Sequence, residues 1–340
     1  MRYFFGLLVF ILFFSCSETK VHEPFHSVKI NSLYQDSISI RAIELMGNSL
    51  AFAGSNGIFG SIDLQAGKVR TNIQKYDTLV PEFRAVAHTA TDFFMLSVAN
   101  PALLYKTGEQ GSMELVYREE DEAVFYDAMT FWNDKEGIAV GDSMNGCLSI
   151  IITRDGGSTW NKLPCSDLPE GIEGEGAFAA SNTNIVVKGN KAWIATTKRI
   201  LYSGNKGKTW VQFSTPILTD EPTQGIYSMD FYNENLGVVI GGDYTKPNKN
   251  TSNKAITKDG GNTWDLIADG RLPGYKSCIQ FVPNTNGKEM VAIGFTGISY
   301  SFDMGETWKN LSDESFYTIR FKNDSLAYAA GKNKIAELIF

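Results

Sequence analysis

An eight-residue pattern, Ser/Thr-x-Asp/Asn-x-Gly-x-Thr-Trp, occurs four times in this chain and restricts its fold more than any other feature. The copies run from Thr153 to Trp160, Ser203 to Trp210, Thr257 to Trp264 and Ser301 to Trp308, with starts 50, 54 and 44 residues apart. Self-similarity at such a period marks a solenoid, a propeller or an array, in which each repeat is one supersecondary unit. In each copy the Asp or Asn (Asp155, Asn205, Asp259, Asp303) can accept backbone N–H groups of its own turn, and the Gly two residues later admits positive φ. Apolar β-formers flank the octets, as Leu148 to Ile152 do before Thr153. Each octet is therefore the tip of a hairpin whose Trp (Trp160, Trp210, Trp264, Trp308) packs back on the sheet. A motif repeated around a fold cannot be one active site, so these residues are assigned to structure.

Stepping back 46 residues from Thr153 reaches Thr107, where TGEQGSME keeps Gly111 but lacks the Trp; a further step of 46 reaches Ser61, with Asp63 and a delayed Gly67. Six outer hairpins follow. Apolar strands that end in Gly precede the octets, at Gly54, Gly141, Gly241 and Gly294, and a seventh such strand ends at Gly331. One more strand, Lys334 to Phe340, then completes the chain, so the last blade lacks its outermost strand. The alternating segment Ser27 to Leu33 can supply it and close the ring, which removes open sheet edges. The expectation is an all-β, seven-bladed β-propeller over residues 25–340, closed by an N-terminal strand in the last blade.

The octet resembles the Asp-box, or BNR repeat, of sialidases and related propellers. Across nearly the whole mature chain, the segments FYDAMTFWNDKEGIAVGD (Phe125 to Asp142), GEGAFAASNT (Gly174 to Thr183) and GIYSMDFYNENLGVVIGGDY (Gly225 to Tyr244) resemble bacterial relatives of the photosystem II stability/assembly factor family. That resemblance implies a non-enzymatic binding or assembly factor whose partner is a protein, in the family's case within a membrane-protein complex. Some such relatives carry an oxidoreductase label, for which this chain offers no physical basis. No GxGxxG follows a strand and opens a helix.

At the N-terminus, Arg2 precedes an apolar run from Tyr3 to Phe14 that is too short for a transmembrane helix and suits a signal-peptide core. Ser15-Cys16 follows, and then Ser17-Glu18-Thr19-Lys20. A small residue before Cys at this place resembles the lipobox of bacterial lipoproteins, which implies acylation of Cys16. The expected organisation is a signal peptide at 1–15, a tether at 16–24 and the propeller at 25–340, exported and lipid-anchored in the cell envelope.

The net charge of −7 comes with no Lys/Arg-dense stripe, which argues against nucleic acid as a partner. The three His residues form no cluster, no CxxC is present, and neither a metal nor a cofactor is expected.

In a four-stranded meander, alternate connections lie on opposite faces. The face opposite the octet tips carries the connections between second and third strands and those between blades. Unusual residues gather there: Asp142 after Gly141, Asp243 and Tyr244 after Gly242, and Glu170, Glu173 and Glu175 before blade 4. These acids are expected to converge over the central channel. Placing the first strands in phase gives a column of Arg41, Arg84, Asp127, Ala179, Ser228, Ser277 and Thr318 near the channel mouth. Arg suits bidentate recognition of carboxylate or phosphate. Two readings stay open: a rim that contacts a ligand or partner, and an internal Arg–Asp network that braces the inner strands.

Two rival functions use the same face. A sialidase-like glycosidase would need a Tyr–Glu nucleophile pair and an acid, for which Tyr244, Glu175 and Asp142 are the only candidates. A carbohydrate-binding propeller would stack sugars on Tyr126, Tyr227 and Tyr244. Finally, Cys147 and Cys165 lie symmetrically about the octet tip at position 156, which would set them opposite each other on neighbouring strands, at a spacing compatible with a disulfide. Cys278 is left as a buried thiol.

Overall fold

The computed structural model describes Met1 and residues 23–340, so the apolar N-terminal run and Cys16 lie outside the described residues. Six antiparallel sheets follow one another in chain order, each of four consecutive strands. Blade 1 runs from strand Ala42–Met46 to strand Val69–Ile73, and blade 2 from Phe83–His88 to Met113–Glu119. Blade 3 runs from Tyr126–Phe131 to Asn161–Lys162, and blade 4 from Ile185–Lys188 to Val211–Phe213. Blade 5 runs from Gln224–Phe231 to Asp265–Leu266, and blade 6 from Cys278–Phe281 to Lys309–Ser312. Each first strand touches the first strand of the next blade, and the seventh touches the first, so the blades form a closed ring.

The seventh blade is made from both ends of the chain. Its inner strand is Thr318–Phe321, and the segment Leu326–Ile339 doubles back at Asn333, whose φ is 64°. The Phe340 N–H then reaches the Ser325 carbonyl at 2.9 Å. The outer strand is Lys29–Ser39, antiparallel to the returning half, with Lys29 against Ile339 and Gln35 against Lys334. It is longer than the alternating segment predicted, and its foothold begins earlier still. Phe25 is buried against the Tyr300 and Phe340 rings, each with its centroid 4.7 Å away.

The octets form the third-to-fourth-strand turns. Thr153 Oγ1 donates to Asp155 Oδ1 (2.8 Å) and accepts the Gly157 N–H (2.9 Å). Asp155 in turn accepts the Thr159 N–H (2.9 Å) and hydroxyl (2.7 Å). The same bonds recur around Asp259 and Asp303. At Asn205 the amide nitrogen donates to Thr209 Oγ1 instead, at 2.9 Å. Each Trp fills the junction with the preceding blade: Trp160 meets the Phe94 and Phe131 rings edge-on, and Trp264 meets Phe231 likewise. Trp210 joins the core around Ile152 and Trp132, and Trp308 the core around Ile267 and Tyr232.

The strand-ending glycines have a steric cause. A Cβ at Gly141 would lie 2.2 Å from the Phe125 carbonyl oxygen, and one at Gly241 only 1.8 Å from that of Gly225. The chain enters each of these blades directly across the face of its second strand, where no side chain fits.

Blade 4 departs from the expected phasing. Its inner strand begins at Ile185, not with the segment around Ala179, and the residues before it cross the channel as a plug. Asn182 takes φ of 59°; its side chain accepts the Met129 N–H (2.9 Å) and donates to the Val86 carbonyl (2.7 Å). Ser181 Oγ donates to the Ser277 carbonyl (2.6 Å), Thr318 Oγ1 to the Ser181 carbonyl (2.9 Å), and Thr183 Oγ1 to Ser228 Oγ (2.7 Å). The Ser228 and Thr318 hydroxyls and the Ser277 carbonyl of the predicted column thus hold the plug rather than a rim. Buried backbone groups require partners, and these blades supply them.

Cys147 and Cys165 form a disulfide with Cα atoms 5.5 Å apart. The strand register differs by one residue from the predicted symmetry, since Ile151 faces Lys162. Cys165 leaves the ladder after Pro164 and sits in the short 3-10 turn Cys165–Asp167, which lets it swing back to Cys147. Cys278 is free and buried.

Candidate binding cup

At the channel mouth opposite the octet tips, the plug closes the floor of a cup of about 430 Å³. Ala179 and Ala180 lie in the floor, and Arg41 and Arg84 line one side. Rings from blades 4 to 7 line the rest: Phe178, Tyr227, Tyr244, Tyr275, Phe295 and Tyr317. Arg41 is the residue immediately before blade 1, on the short link that follows the ring-closing strand. Its guanidinium lies over the Tyr317 ring, 4.2 Å from the centroid, and Nη1 makes only a long 3.5 Å contact to the Ala180 carbonyl. Its Nε is buried with no acceptor. Burial, and then repulsion from Arg84, lowers the Arg41 pKa from the usual guanidinium value. Arg84, on the inner strand of blade 2, is held by Glu82 through Nε (2.8 Å) and Nη2 (2.7 Å).

The aromatic side is pre-packed. Phe178 and Tyr227 stack face to face with centroids 3.7 Å apart and planes 3° apart. Tyr275 sets its edge to Tyr227 at 4.7 Å and packs on Phe295 at 5.2 Å. Burial pushes the Tyr227 and Tyr275 phenols well above the ordinary tyrosine range, so both are neutral donors. Tyr244 and Phe295 are the most open rings, 49% and 42% exposed.

The expected convergence of acids over the channel does not occur, and among the described residues no carboxylate lines the cup. Glu175 is wholly buried, bonded to Arg199 Nε (2.8 Å) and Nη2 (2.7 Å) and to Thr196 Oγ1 (2.9 Å). It therefore neither faces a partner nor pairs with Tyr244 as a glycosidase nucleophile would. Glu173 is exposed on the loop before it. Asp142 is half-buried and accepts the Ala177 N–H at 3.0 Å, which fastens the same loop. Asp243 is buried: desolvation pushes its carboxyl up, but hydrogen bonds from the Thr245 hydroxyl (2.6 Å) and N–H (2.9 Å) outweigh it and hold the pKa at about 2. Asp127 is completely buried. Burial, reinforced by Asp142 and opposed by Arg84 and the Ala179 N–H, raises its pKa well above the usual carboxylate range. Of the eight residues singled out for this face, Arg41, Arg84 and Tyr244 share the cup. Tyr126 is also buried, its hydroxyl donating to Glu119 at 2.7 Å.

Solved structures share this architecture. "YCF48 bound to D1 peptide" superimposes with a TM-score of 0.66 at 13% identity, over 93% of this chain and 95% of that one. YCF48 from Cyanidioschyzon merolae gives 0.63 at 14%, over 92% and 98%. The WD40 repeats of RRP9 give 0.62 at 10%, over 94% and 99%. At these identities the likeness is one of fold. No protein-family model and no curated protein matches the sequence.

The cup is cationic and aromatic in a chain of net charge −7. Sequence reading missed Phe178, Tyr275, Phe295 and Tyr317. A signal was present for two of them: Phe178 and Tyr317 stand immediately before the in-phase column, as Tyr227 does. Tyr275 and Phe295 carry no such mark, because the links that hold them have no common spacing.

Proposed function

We propose that this chain is an exported, lipid-anchored propeller that binds a protein partner through the aromatic and cationic cup and catalyses no reaction itself. The observation that carries this reading is Arg41, whose half-desolvated guanidinium stands beside a second cation with its Nε unsatisfied. A carboxylate entering the cup would complete the hydrogen bonds of Arg41 and offset its repulsion from Arg84. The surrounding rings would cover the apolar part of the same segment. A propeller of this fold described with a bound peptide supports the analogy. The octets are read as Asp-box repeats of the BNR type, and Cys16 as the acylated residue that ties the disc to a bacterial membrane.

Two measurements test the reading. Cross-linking in the cell envelope should capture a partner with the wild type and lose it with Arg41→Ala/Arg84→Ala, provided circular dichroism shows the variant folded. Retention of the partner would return both arginines to bracing the inner strands. Cys16→Ala should move the protein from the membrane to the soluble fraction and abolish labelling by a fatty-acid analogue; unchanged fractionation and labelling would remove the lipid anchor from the proposal.

A second reading, glycan binding without hydrolysis, is favoured by the exposure of Tyr244 and Phe295 at the cup rim, since open rings stack on sugars. A glycan array probed with wild type and with Tyr244→Ala/Phe295→Ala separates it from peptide binding.

A further inference from the structure

The junction between blades 1 and 2 contains a gap where four other junctions hold an indole. Trp160, Trp210, Trp264 and Trp308 fill the junctions from blade 2 to blade 6. In blade 2 the turn is one residue shorter: Met113 faces Thr107, the place that the register gives the tryptophan in blade 3, where Ile152 faces Asn161, and the next side chain, Glu114, turns away, so that a Cβ on Gly108 would meet its Oε1 at 2.5 Å. The glycine two places after the octet Asp or Asn reports the same difference. A Cβ there would strike Phe94 from Gly157, Ile152 from Gly207, Trp193 from Gly261 and Ile267 from Gly305. At Gly111 nothing lies within 4 Å.

The result is a groove of about 620 Å³, within the size range of ligand sites. Met46, Ala51 and Phe59 of blade 1 and Phe93 and Met113 of blade 2 make its apolar walls. Arg70 lies along one edge, exposed and in no ion pair among the described residues. His88 lies at the other end, with Nε2 3.9 Å from Glu44. Arg70, the one permanently charged residue among those lining the groove, is thus a cation in an acidic chain.

We propose that this groove receives an aromatic side chain, of tryptophan size, from a partner polypeptide with an acidic residue beside it. The occupant repeats in trans the packing that the chain makes in cis at four sister junctions, and Arg70 meets its carboxylate. The groove opens on the face of the octet turns, opposite the cup, so it is a second site and does not depend on the function assigned there.

The probe is a short Trp-Asp peptide in which the Trp carries a photoreactive diazirine, applied to the full folded chain and mapped by mass spectrometry. Labelling is expected at Met46, Phe59 or Met113, competed by the unlabelled Trp-Asp peptide and not by its Ala-Asp counterpart. Met113→Trp supplies the missing indole from the chain itself, and Met113→Asp puts a charge in the same place. Each should reduce labelling at least about tenfold, as loss of an aromatic anchor site does. Arg70→Ala should weaken the Trp-Asp peptide and leave a Trp-Ala peptide unchanged. Absence of labelling in the groove, labelling confined to the cup at Tyr244 or Phe295, or full labelling in both groove variants would overturn the proposal.

Discussion

Arg199 and Glu175 meet in a buried two-pronged ion pair, Nε to Oε1 at 2.8 Å and Nη2 to Oε2 at 2.7 Å, between the second-to-third-strand turn of blade 4 and the loop that leads into that blade. Arg199 Nη2 also donates to the Glu170 carbonyl, and Thr196 Oγ1 to Glu175 Oε1, so the pair fastens the loop from which the channel plug descends. Removing one partner strands a charge in a site that excludes water, at a cost of about 3–5 kcal/mol. Arg199→Ala should therefore lower stability by that order in urea denaturation. Arg199→Met/Glu175→Leu should recover most of the loss, because replacing both charges with apolar groups strands neither.

Asp127 and Asp243 give stability opposite dependences on pH. Burial raises the Asp127 pKa in the fold above its unfolded value of about 3.9. Its contribution is therefore complete below about pH 4 and is lost as pH rises through the raised folded value. Asp243, held at about 2, contributes above the unfolded value and loses that contribution as pH falls toward 2. Asp127→Asn should make the protein more stable than wild type at neutral pH and change little near pH 4. Urea midpoints at the two pH values measure this; an equal shift at both would mean that Asp127 is not held neutral.

The octets contain their own control, since Asn205 does in blade 4 what Asp155 does in blade 3. Asp155→Asn should cost less than about 1 kcal/mol. Asp155→Ala leaves the Thr159 N–H and both octet hydroxyls without their partner and should cost about 1–3 kcal/mol. Trp160→Ala opens the junction of blades 2 and 3 and should cost about 3–5 kcal/mol. Thermal unfolding of the three variants gives the order directly.

Ring closure rests on Phe25 and the strand Lys29–Ser39. Truncation through Ser39 exposes the returning strand of blade 7 as an open edge, which pairs readily with other chains. Light scattering should show oligomers or aggregates of the truncated protein where the full chain is monodisperse. Phe25→Ala keeps the edge covered and should lower stability by about 3–5 kcal/mol without aggregation.

The blade count, the octet tips and the N-terminal closing strand were legible in the sequence because each is a local signal repeated with a period. A turn that needs an Asp, a positive-φ Gly and an indole announces itself wherever it occurs, and one unpaired outer edge can be recognised by counting strands. The in-phase column also set Arg41 and Arg84 near the channel mouth, where both line the cup, because residues at the start of neighbouring inner strands lie at similar heights. What the column could not show was that Ser181–Thr183 would leave the ladder. Whether Asn182 continues a strand or turns into the channel depends on the Val86 and Met129 backbone groups that receive it, and these come from two other blades. The same limit governed the acids. Glu173 and Glu175 look alike in sequence, yet only the tertiary placement of Arg199 buries one and leaves the other in water. The sequence by itself determined the ring and its repeating turns, since these depend on neighbours within one hairpin. Tertiary structure alone decided the plugged channel, the aromatic cup and the empty junction beside Gly111, since each depends on groups that meet only once seven blades have closed.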